Sequence, residues 1–269
     1  MKFKVISDLH VDINAHLIPE MKFDTEAFYL IAGDISGDRH ITTKFLRDKN
    51  IKGVFVEGNH LGYNVQTGDK EDTKQKSNEY LHWQFDYSEP MVFLENDHIF
   101  VGGINGEEVC IIGCTLYTDF DIFHNAPIAQ EVARQGLNDF RYVKVLDEDG
   151  TIRHVTPSDY VIWFNTSLNY INEICEENKD TDIIVVTHFA PSLKGISVEY
   201  TTDKLTPAYA SELDNFILEH PNIKYWCNGH VHHKTTYKIG ETQIICNPFG
   251  YYNENNMDLT QPLGYDIEV

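Results

Sequence analysis

FKVISDLH, residues 3–10, is a short apolar run that ends on two side chains able to bind a metal ion. Residues 3–6 have the composition of a buried strand, and Asp8 and His10 follow it closely. In open α/β sheets, ligands bind in the crevice beyond the carboxyl ends of the strands. The stretch therefore predicts a strand that carries functional residues at its C-terminal end.

Four more apolar runs of strand type end in the same way. They cover residues 28–32, 54–56, 183–186 and 223–227. The polar residues that follow these runs are Gly33-Asp34, Gly58-Asn59-His60, Thr187-His188 and Gly229-His230-Val231-His232. Between residues 1 and 59 the strands alternate with an amphipathic segment at 41–46, which predicts parallel βαβ units. We expect the five strand ends to converge on one crevice.

The rest of the chain predicts further strands, two helices and two irregular segments. Apolar positions recur at helical spacing over residues 158–177 and 207–219. Shorter strands are predicted at 92–94, 99–101 and 109–114, and a hairpin at 235–239 and 243–246. Residues 117–157 are interpreted as irregular, and residues 62–76 as a loop beside the crevice. For 269 residues with 42% hydrophobic content, we expect one domain over residues 1–269.

Composition and charge restrict the classes of function. The net charge of −21 argues against a protein that tracks long nucleic acid, because such binding depends on clustered Lys and Arg. The five cysteines are odd in number and form no CxxC pair, which favours buried reduced thiols. The N-terminal apolar run is too short for a signal peptide, and no stretch of about 18 apolar residues follows. These observations predict a soluble, cytoplasmic protein with no membrane partner.

The strand ends supply candidate ligands for two divalent metal ions, which are Asp8, His10, Asp34, Asn59, His188, His230 and His232. Imidazoles, carboxylates and an amide without any thiolate suit Mn²⁺, Fe or Zn²⁺ better than Ca²⁺, and Mn²⁺ is the leading prediction among them. Two ions about 3.5 to 4 Å apart need a bridging carboxylate, for which Asp34 is the natural candidate. Such a pair activates water and holds a phosphoryl oxygen. His60 would then be free to donate a proton to the leaving oxygen, so His60 and Asp34 are the predicted catalytic residues.

The ordered series DxH, GD, GNH, H and GHxH, from Asp8 to His232, resembles the calcineurin-like metallophosphoesterase superfamily. The resemblance implies a four-layer αββα sandwich, in which two mixed β-sheets are flanked by helices. It also implies that one metal is bound by Asp8, His10, Asp34 and His232, and the other by Asp34, Asn59, His188 and His230. Residues 111–119, 137–141, 187–192 and 246–251 are similar to a bacterial and phage branch of phosphohydrolases and Ser/Thr phosphatases.

One position departs from the motif of that family. The GNH motif normally continues with Asp or Glu, whereas this chain has Leu61. A carboxylate beside His60 would orient the imidazole and raise its pKa. Without that neighbour, either His60 is a weaker proton donor or another carboxylate, such as Asp38, acts from a distance.

Residues outside the metal motifs are candidates for substrate contacts. Arg141 can anchor a phosphate by bidentate hydrogen bonds, and a surface ion pair is an equal alternative. Asn138 is a second candidate, whereas turn or packing roles are expected for Tyr63 and Asn64.

Three functions are compatible with this sequence. The leading prediction is hydrolysis of a phosphomonoester, carried by a phosphoprotein or a small metabolite. The alternatives are a phosphodiesterase acting on cyclic or linear nucleotides, and a non-catalytic metal-binding scaffold of the same fold. All seven ligands and His60 are present, and only Leu61 favours the scaffold.

Overall fold

The computed structural model describes residues 1–63, 73–103, 106–254 and 259–269. The strands in these residues are Phe3–Ile6 (β1), Phe28–Ile31 (β2), Gly53–Phe55 (β3), Met91–Phe93 (β4), Asp97–Gly102 (β5), Glu108–Cys114 (β6), Lys144–Leu146 (β7), Ile152–His154 (β8), Asp182–Thr187 (β9), Ile223–Asn228 (β10), Thr235–Ile239 (β11), Thr242–Cys246 (β12) and Tyr265–Ile267 (β13). The α-helices are Arg39–Asp48 (α1), Lys74–Gln84 (α2), Ala126–Gly136 (α3), Asp139–Tyr142 (α4), Pro157–Glu177 (α5) and Asp214–Glu219 (α6). Every strand predicted from an apolar run is present, with ends shifted by a residue or two.

The first large sheet has the strand order β13-β1-β2-β3-β4. Strands β1 to β4 pair in parallel, and β13 pairs with β1 in the antiparallel direction. The register aligns Phe3 with Phe28 and Tyr29 with Gly53. Because parallel strands end at the same edge of a sheet, the residues that follow β1, β2 and β3 are brought together.

The second large sheet has the strand order β11-β12-β10-β9-β6-β5. Its four central strands are parallel, whereas β5 and β11 are antiparallel edge strands. The hairpin of β11 and β12 confirms the prediction made for residues 235–246. Parallel pairing of β9 with β10 places the residues after both strands at one edge, as in the first sheet.

The two sheets pack face to face through alternate residues of their strands. Val5 and Leu30 of the first sheet share a buried cluster with Ile111 and Ile184 of the second. The residues between these positions point to the opposite face of each sheet, since side chains alternate along a strand. Both faces are apolar, which explains why the strands appear as continuous hydrophobic runs in the sequence.

Helices cover the outer faces of both sheets. Phe45 of α1 and Leu81 of α2 pack with Ile31 against the first sheet. Phe164 and Ile171 of α5 pack with Val185 against the second. This arrangement confirms the predicted four-layer αββα sandwich of two mixed sheets flanked by helices.

Residues 117–157 contain more regular structure than the sequence pattern indicated. Helices α3 and α4 and the small β7-β8 sheet lie in this segment. Ala133 and Phe140 pack with Tyr160 of α5 in a separate apolar cluster. The elements are only 3 to 11 residues long and are separated by polar turns, and the interpretation of residues 117–157 as irregular was wrong.

The predicted loop at 62–76 and the predicted helix at 207–219 are both corrected. Residues 64–72 lie outside the described residues, but α2 begins at Lys74, within the predicted loop. The buried face of α2 carries Lys74, whose Nζ lies 2.9 Å from Oε2 of buried Glu57. A charged residue at a buried position interrupts the apolar spacing by which the sequence indicates a helix. Of residues 207–219, only 214–219 are α-helical. The Ser211 N–H donates to Ala190 O at 3.1 Å instead of to a carbonyl within a helix.

Candidate metal centre

The five predicted strand ends converge at one edge of the sandwich. Asp8 N–H donates to Gly33 O, and His10 N–H donates to Asp34 O, each at 3.0 Å. Across the second sheet, Gly229 N–H donates to His188 O at 2.9 Å. Backbone hydrogen bonds therefore hold these residues at the same edge, independently of any side-chain contact.

Five of the seven predicted ligands have a left-handed backbone. The φ angles are 53° for Asp8, 41° for His10, 52° for Asp34, 67° for His230 and 46° for His232. Residues other than glycine rarely adopt such angles, and each costs of order 1 kcal/mol. Such strain concentrates at functional sites, where the surrounding structure maintains it.

Asp8 is a fully buried carboxylate held by hydrogen bonds. The His230 N–H lies 3.1 Å from both of its oxygens, and the Ser7 hydroxyl donates to Oδ2 at 2.5 Å. His232 Nε2 lies 3.5 Å from Oδ1. Burial alone would raise the pKa of Asp8, but the hydrogen bond and charge of His232 lower it below the usual range. The geometry therefore favours the ionised carboxylate.

Asp34 lies at the centre of the cluster. Its Oδ1 accepts the His60 N–H at 3.0 Å, and its Oδ2 lies 3.3 Å from His188 Nε2, 3.8 Å from His60 Nε2 and 4.0 Å from His10 Nε2. Burial opposes ionisation, but the charges of His188 and the other imidazoles hold the pKa of Asp34 well below its usual value. An ionised carboxylate that faces several imidazoles could take part in binding a divalent ion.

His188 is oriented by a hydrogen bond from its other ring nitrogen. Nδ1–H donates to Ala32 O at 2.8 Å, so that Nε2 faces Asn59 Oδ1 at 3.0 Å. Burial would lower the pKa of His188, but the Asp34 carboxylate raises it to about 9. A backbone carbonyl that fixes the imidazole in this way is a common feature of metal-binding histidines.

Asn59 is held by Asp139, a residue for which the sequence predicted no role. Asn59 Nδ2 donates to the two oxygens of Asp139 at 3.0 and 3.2 Å. Tyr160 OH donates to Asp139 Oδ2 at 2.5 Å, and Tyr63 OH donates to Oδ1. With the amide nitrogen so engaged, the amide oxygen of Asn59 is directed at His188 and the centre of the site. Asp139 lies in the 137–141 motif, which was the only available signal.

The sequence also did not predict a role for Glu254. His232 Nδ1–H donates to Glu254 Oε2 at 2.7 Å, which leaves Nε2 towards Asp8 and His10. Burial lowers the pKa of His232, but the hydrogen bond and charge of Asp8, assisted by Glu254, raise it to about 9. Carboxylate and carbonyl partners thus orient two of the histidines from outside the cluster.

The described residues contain three groups of side chains that could each hold a metal ion. The groups are Asp8 with His10 and His232, His10 with Asp34 and His60, and Asp8 with Asp34 and His188. Within the described chain, buried His230 Nε2 has no hydrogen-bond partner. A buried ring nitrogen without a partner is costly unless a ligand satisfies it. The donors therefore fit divalent ions.

Four of the seven predicted ligands, Asp34, Asn59, His230 and His232, line a cavity of about 330 Å³, which we call the ligand cavity. Its lining includes His60, Asn138 and Tyr251. Arg141 is not among the described lining residues, and its guanidinium donates to Gln135 O at 2.9 Å. Asn138 is therefore placed at the cavity and Arg141 beside it. Asn64 lies outside the described residues.

The departure at Leu61 has a structural explanation. Leu61 is 2% exposed and packs in the apolar layer between the first sheet and its helices. The Asp38 carboxylate accepts hydrogen bonds from His40 N–H and Ile41 N–H, and thereby caps α1. Among the described residues, the structure instead places the Asp34 carboxylate beside His60, with Oδ2 3.8 Å from Nε2.

Comparisons with known proteins agree with this geometry. The family described as calcineurin-like phosphoesterase matches residues 1–234. The chain therefore belongs to the calcineurin-like phosphoesterases, a family of metal-dependent phosphohydrolases, and is a hydrolase. No curated protein matches the chain.

A solved structure shares the fold. The phosphopantetheinyl hydrolase from Mycobacterium tuberculosis superposes with a TM-score of 0.73 and 16% identity, over 100% of this chain and 95% of that chain. A candidate 5′-nucleotidase from Staphylococcus aureus has a TM-score of 0.47 and 14% identity, over 91% of this chain and 48% of that one.

Two predictions about the whole chain can also be compared with the structure. All five cysteines are free and buried, as their positions in apolar runs predicted. Among the described residues, none of the helices combines the length and apolar character needed to cross a membrane. The cytoplasmic location stays a prediction.

Proposed function

We propose that the chain hydrolyses phosphomonoesters with a dinuclear divalent metal centre. One ion would be held by Asp8, His10, Asp34 and His232, and the other by Asp34, Asn59, His188 and His230. The convergence of side chains from five strand ends on one buried cluster, four of which line the ligand cavity, is the observation that carries this proposal. The oxygen and nitrogen donors, without a thiolate, suit Mn²⁺, Fe or Zn²⁺, and of these we propose Mn²⁺.

The ions would supply two functions, since a divalent pair lowers the pKa of a shared water and neutralises charge on the phosphoryl oxygens. The chain supplies the other functions. His60 is 19% exposed in its side chain, the most open imidazole around Asp34, and it stacks on Tyr63 at 4.4 Å between ring centroids. From this position it would donate a proton to the leaving oxygen.

A phosphomonoester is favoured over a diester by the polar lining of the ligand cavity. A monoester presents three non-bridging oxygens, which need hydrogen-bond donors and positive charge. His60, Asn138 and Tyr251 offer donors at the wall, beyond the metal ligands. A diester has only two such oxygens and carries a second organic group.

We also propose that residues 1–269 form one domain, since the two sheets share the central apolar layer.

The test compares hydrolysis of para-nitrophenyl phosphate and bis-para-nitrophenyl phosphate by wild type and Asp34→Asn, with Mn²⁺ added. We expect the monoester to be the better substrate and the variant to lose at least about 100-fold in kcat, because Asn is a poor bridging ligand. A faster diester reaction would favour the phosphodiesterase. Unchanged turnover in Asp34→Asn would refute the dinuclear centre. His60→Ala should bind Mn²⁺ normally and lose activity.

A further inference from the structure

A second cavity of about 440 Å³ adjoins the ligand cavity, and we call it the side cavity. Tyr209, Val231, His232 and Glu254 line both cavities. The side cavity therefore opens directly onto the site where the ester bond of a bound substrate would lie. Its volume is in the range of pockets that bind small molecules.

The wall of the side cavity is largely apolar. Ile196, Tyr200, Leu205 and Val231 contribute apolar surface, and Tyr209 stacks on His230 with ring centroids 4.7 Å apart. Apolar and aromatic walls with a few polar groups are typical of sites that recognise the organic part of a ligand.

Hydrogen bonds within the wall form it in advance of any ligand. Asp203 N–H donates to Tyr200 O at 2.9 Å, and the Thr206 hydroxyl donates to the same carbonyl at 2.5 Å. Short 3₁₀ turns at Val198–Tyr200 and Thr206–Ala208 complete the segment. A cavity that exists before binding loses little entropy when a ligand enters.

The charge of the side cavity is unfavourable for anions. Glu199, Asp203 and Glu254 contribute carboxylates, whereas no lysine or arginine is found among its described lining residues. The imidazoles of His232 and His233 and the phenols of Tyr200 and Tyr209 are the other ionisable groups there. Asp203 Oδ1 accepts the Leu205 N–H at 2.8 Å, and Glu254 is engaged by His232, so both carboxylates are fixed in place.

We propose that the side cavity binds the leaving group of the phosphomonoester and selects an apolar or aromatic alcohol without a second anionic group. This inference rests on the proposed function of the adjoining site. The apolar wall supplies binding, and the carboxylates repel a second phosphate or carboxylate. Neutral leaving groups are accepted, whereas bisphosphates and nucleoside di- or triphosphates are rejected.

The experiment uses two aryl phosphates of nearly equal shape, 4-carbamoylphenyl phosphate and 4-carboxyphenyl phosphate, with the Mn²⁺-loaded protein. Binding of the matching arylphosphonates, which are not hydrolysed, is measured in parallel. We expect wild type to prefer the carbamoyl ester by about tenfold in kcat/KM, as expected for repulsion across a partly solvated cavity. The phosphonates should show the same preference in Kd.

The decisive variant is Glu199→Gln combined with Asp203→Asn. It should reduce the preference to about threefold or less, mainly through KM for the carboxylate ester. The matched control is Glu148→Gln combined with Glu241→Gln, which removes the same charge from exposed positions outside both cavities. The ratio of kcat/KM for the two esters is compared between the variant, the control and wild type. The intrinsic reactivity of the esters is the same for each protein, so it cancels from this comparison.

The outcomes separate this inference from the proposed function. Turnover with the same preference in the decisive variant and in wild type would overturn the role of the side cavity and leave the phosphomonoesterase intact. Selective phosphonate binding without any turnover would support the side cavity and contradict the phosphomonoesterase. Absence of both turnover and selective binding would overturn both.

Discussion

At the scale of single residues, Gly58 shows how closely the backbone approaches the candidate metal centre. Its φ angle is 81°, and an added Cβ would lie 2.2 Å from Asp34 Oδ1. We predict that Gly58→Ala displaces the Asp34 carboxylate, lowers the free energy of unfolding by about 1–3 kcal/mol and reduces kcat at least about tenfold. Thermal unfolding and turnover of para-nitrophenyl phosphate are the measurements.

Gly150 offers a matched control for this substitution. Its φ angle is 83°, and an added Cβ would meet nothing within 4 Å. Gly150→Ala therefore carries the same backbone cost without the contact, and should lose about 1 kcal/mol of stability with unchanged activity. Equal loss of activity in both variants would show that strain, rather than the contact with Asp34, is responsible.

Asp139 should control metal affinity through Asn59. Asp139→Ala removes the acceptor of the Asn59 amide and leaves the Tyr160 hydroxyl without its partner. We expect the Mn²⁺ concentration for half-maximal activity to rise about 10- to 100-fold, as is usual when the partner of a ligand is lost. Tyr160→Phe keeps the carboxylate and should have a smaller effect. An unchanged Mn²⁺ requirement in Asp139→Ala would contradict this role.

The ligands were predictable from the sequence, whereas their hydrogen-bond partners were not. Each ligand follows a continuous apolar run, often after a glycine. The residues adjacent in the sequence are therefore sufficient to predict it. Asp139 and Glu254 lie 80 and 22 residues from the side chains they orient, and only the folded chain brings these pairs together. Leu61 departs from the family motif for a different reason. Its side chain packs in the core rather than assisting His60.

At the scale of secondary structure, the start of α5 depends on Asp159. The Asp159 carboxylate accepts from Thr156 N–H at 2.7 Å, and Arg153 donates to both of its oxygens at 2.7 and 2.8 Å. Burial would raise the pKa of Asp159, but the hydrogen bonds from Arg153 and Thr156 lower it. We predict that Asp159→Asn costs about 1–2 kcal/mol at pH 7.

The stability that Asp159 contributes should depend on pH, because the pKa of its carboxyl is lowered in the folded state. A carboxylate with a lower pKa in the folded state stabilises the fold above its unfolded pKa of about 3.9, and this contribution is lost as the pH falls through the folded value. The difference in Tm between wild type and Asp159→Asn should therefore be full at pH 7 and shrink below about pH 4. Asp180→Asn, at an exposed position after α5, serves as control. A constant difference would contradict the ionic role.

The long elements were predicted well because they have a clear period. Helix α5 runs from Pro157 to Glu177, against a prediction of 158–177. Residues 207–219 also repeat at helical spacing, but the chain there pairs with Ala190, and Tyr209 faces the cavities. Tertiary contacts can override a local pattern in this way, and for that reason this prediction failed.

At the scale of the whole molecule, acidic side chains exceed basic ones by 42 to 21. Most of this excess lies at the surface, but Asp8 and Asp34 are 0% and 1% exposed within one buried cluster. Two adjacent buried carboxylates repel each other and lose hydration, and without metal the neighbouring imidazoles offset this cost. Divalent cations bound between the carboxylates would take over that role with a higher charge.

Metal binding should therefore stabilise the whole fold. A ligand at about 100 times its Kd raises the free energy of unfolding by about 2.7 kcal/mol when it binds only the folded state. For a chain of this length we expect Mn²⁺ to raise Tm by about 5 °C, and a chelator to reverse the change. Asp34→Asn, which lacks the bridging carboxylate, should respond far less, and NaCl at equal ionic strength measures general screening. Equal shifts in wild type and Asp34→Asn would mean that Mn²⁺ acts on the acidic surface, because the cluster around Asp34 would then contribute nothing specific.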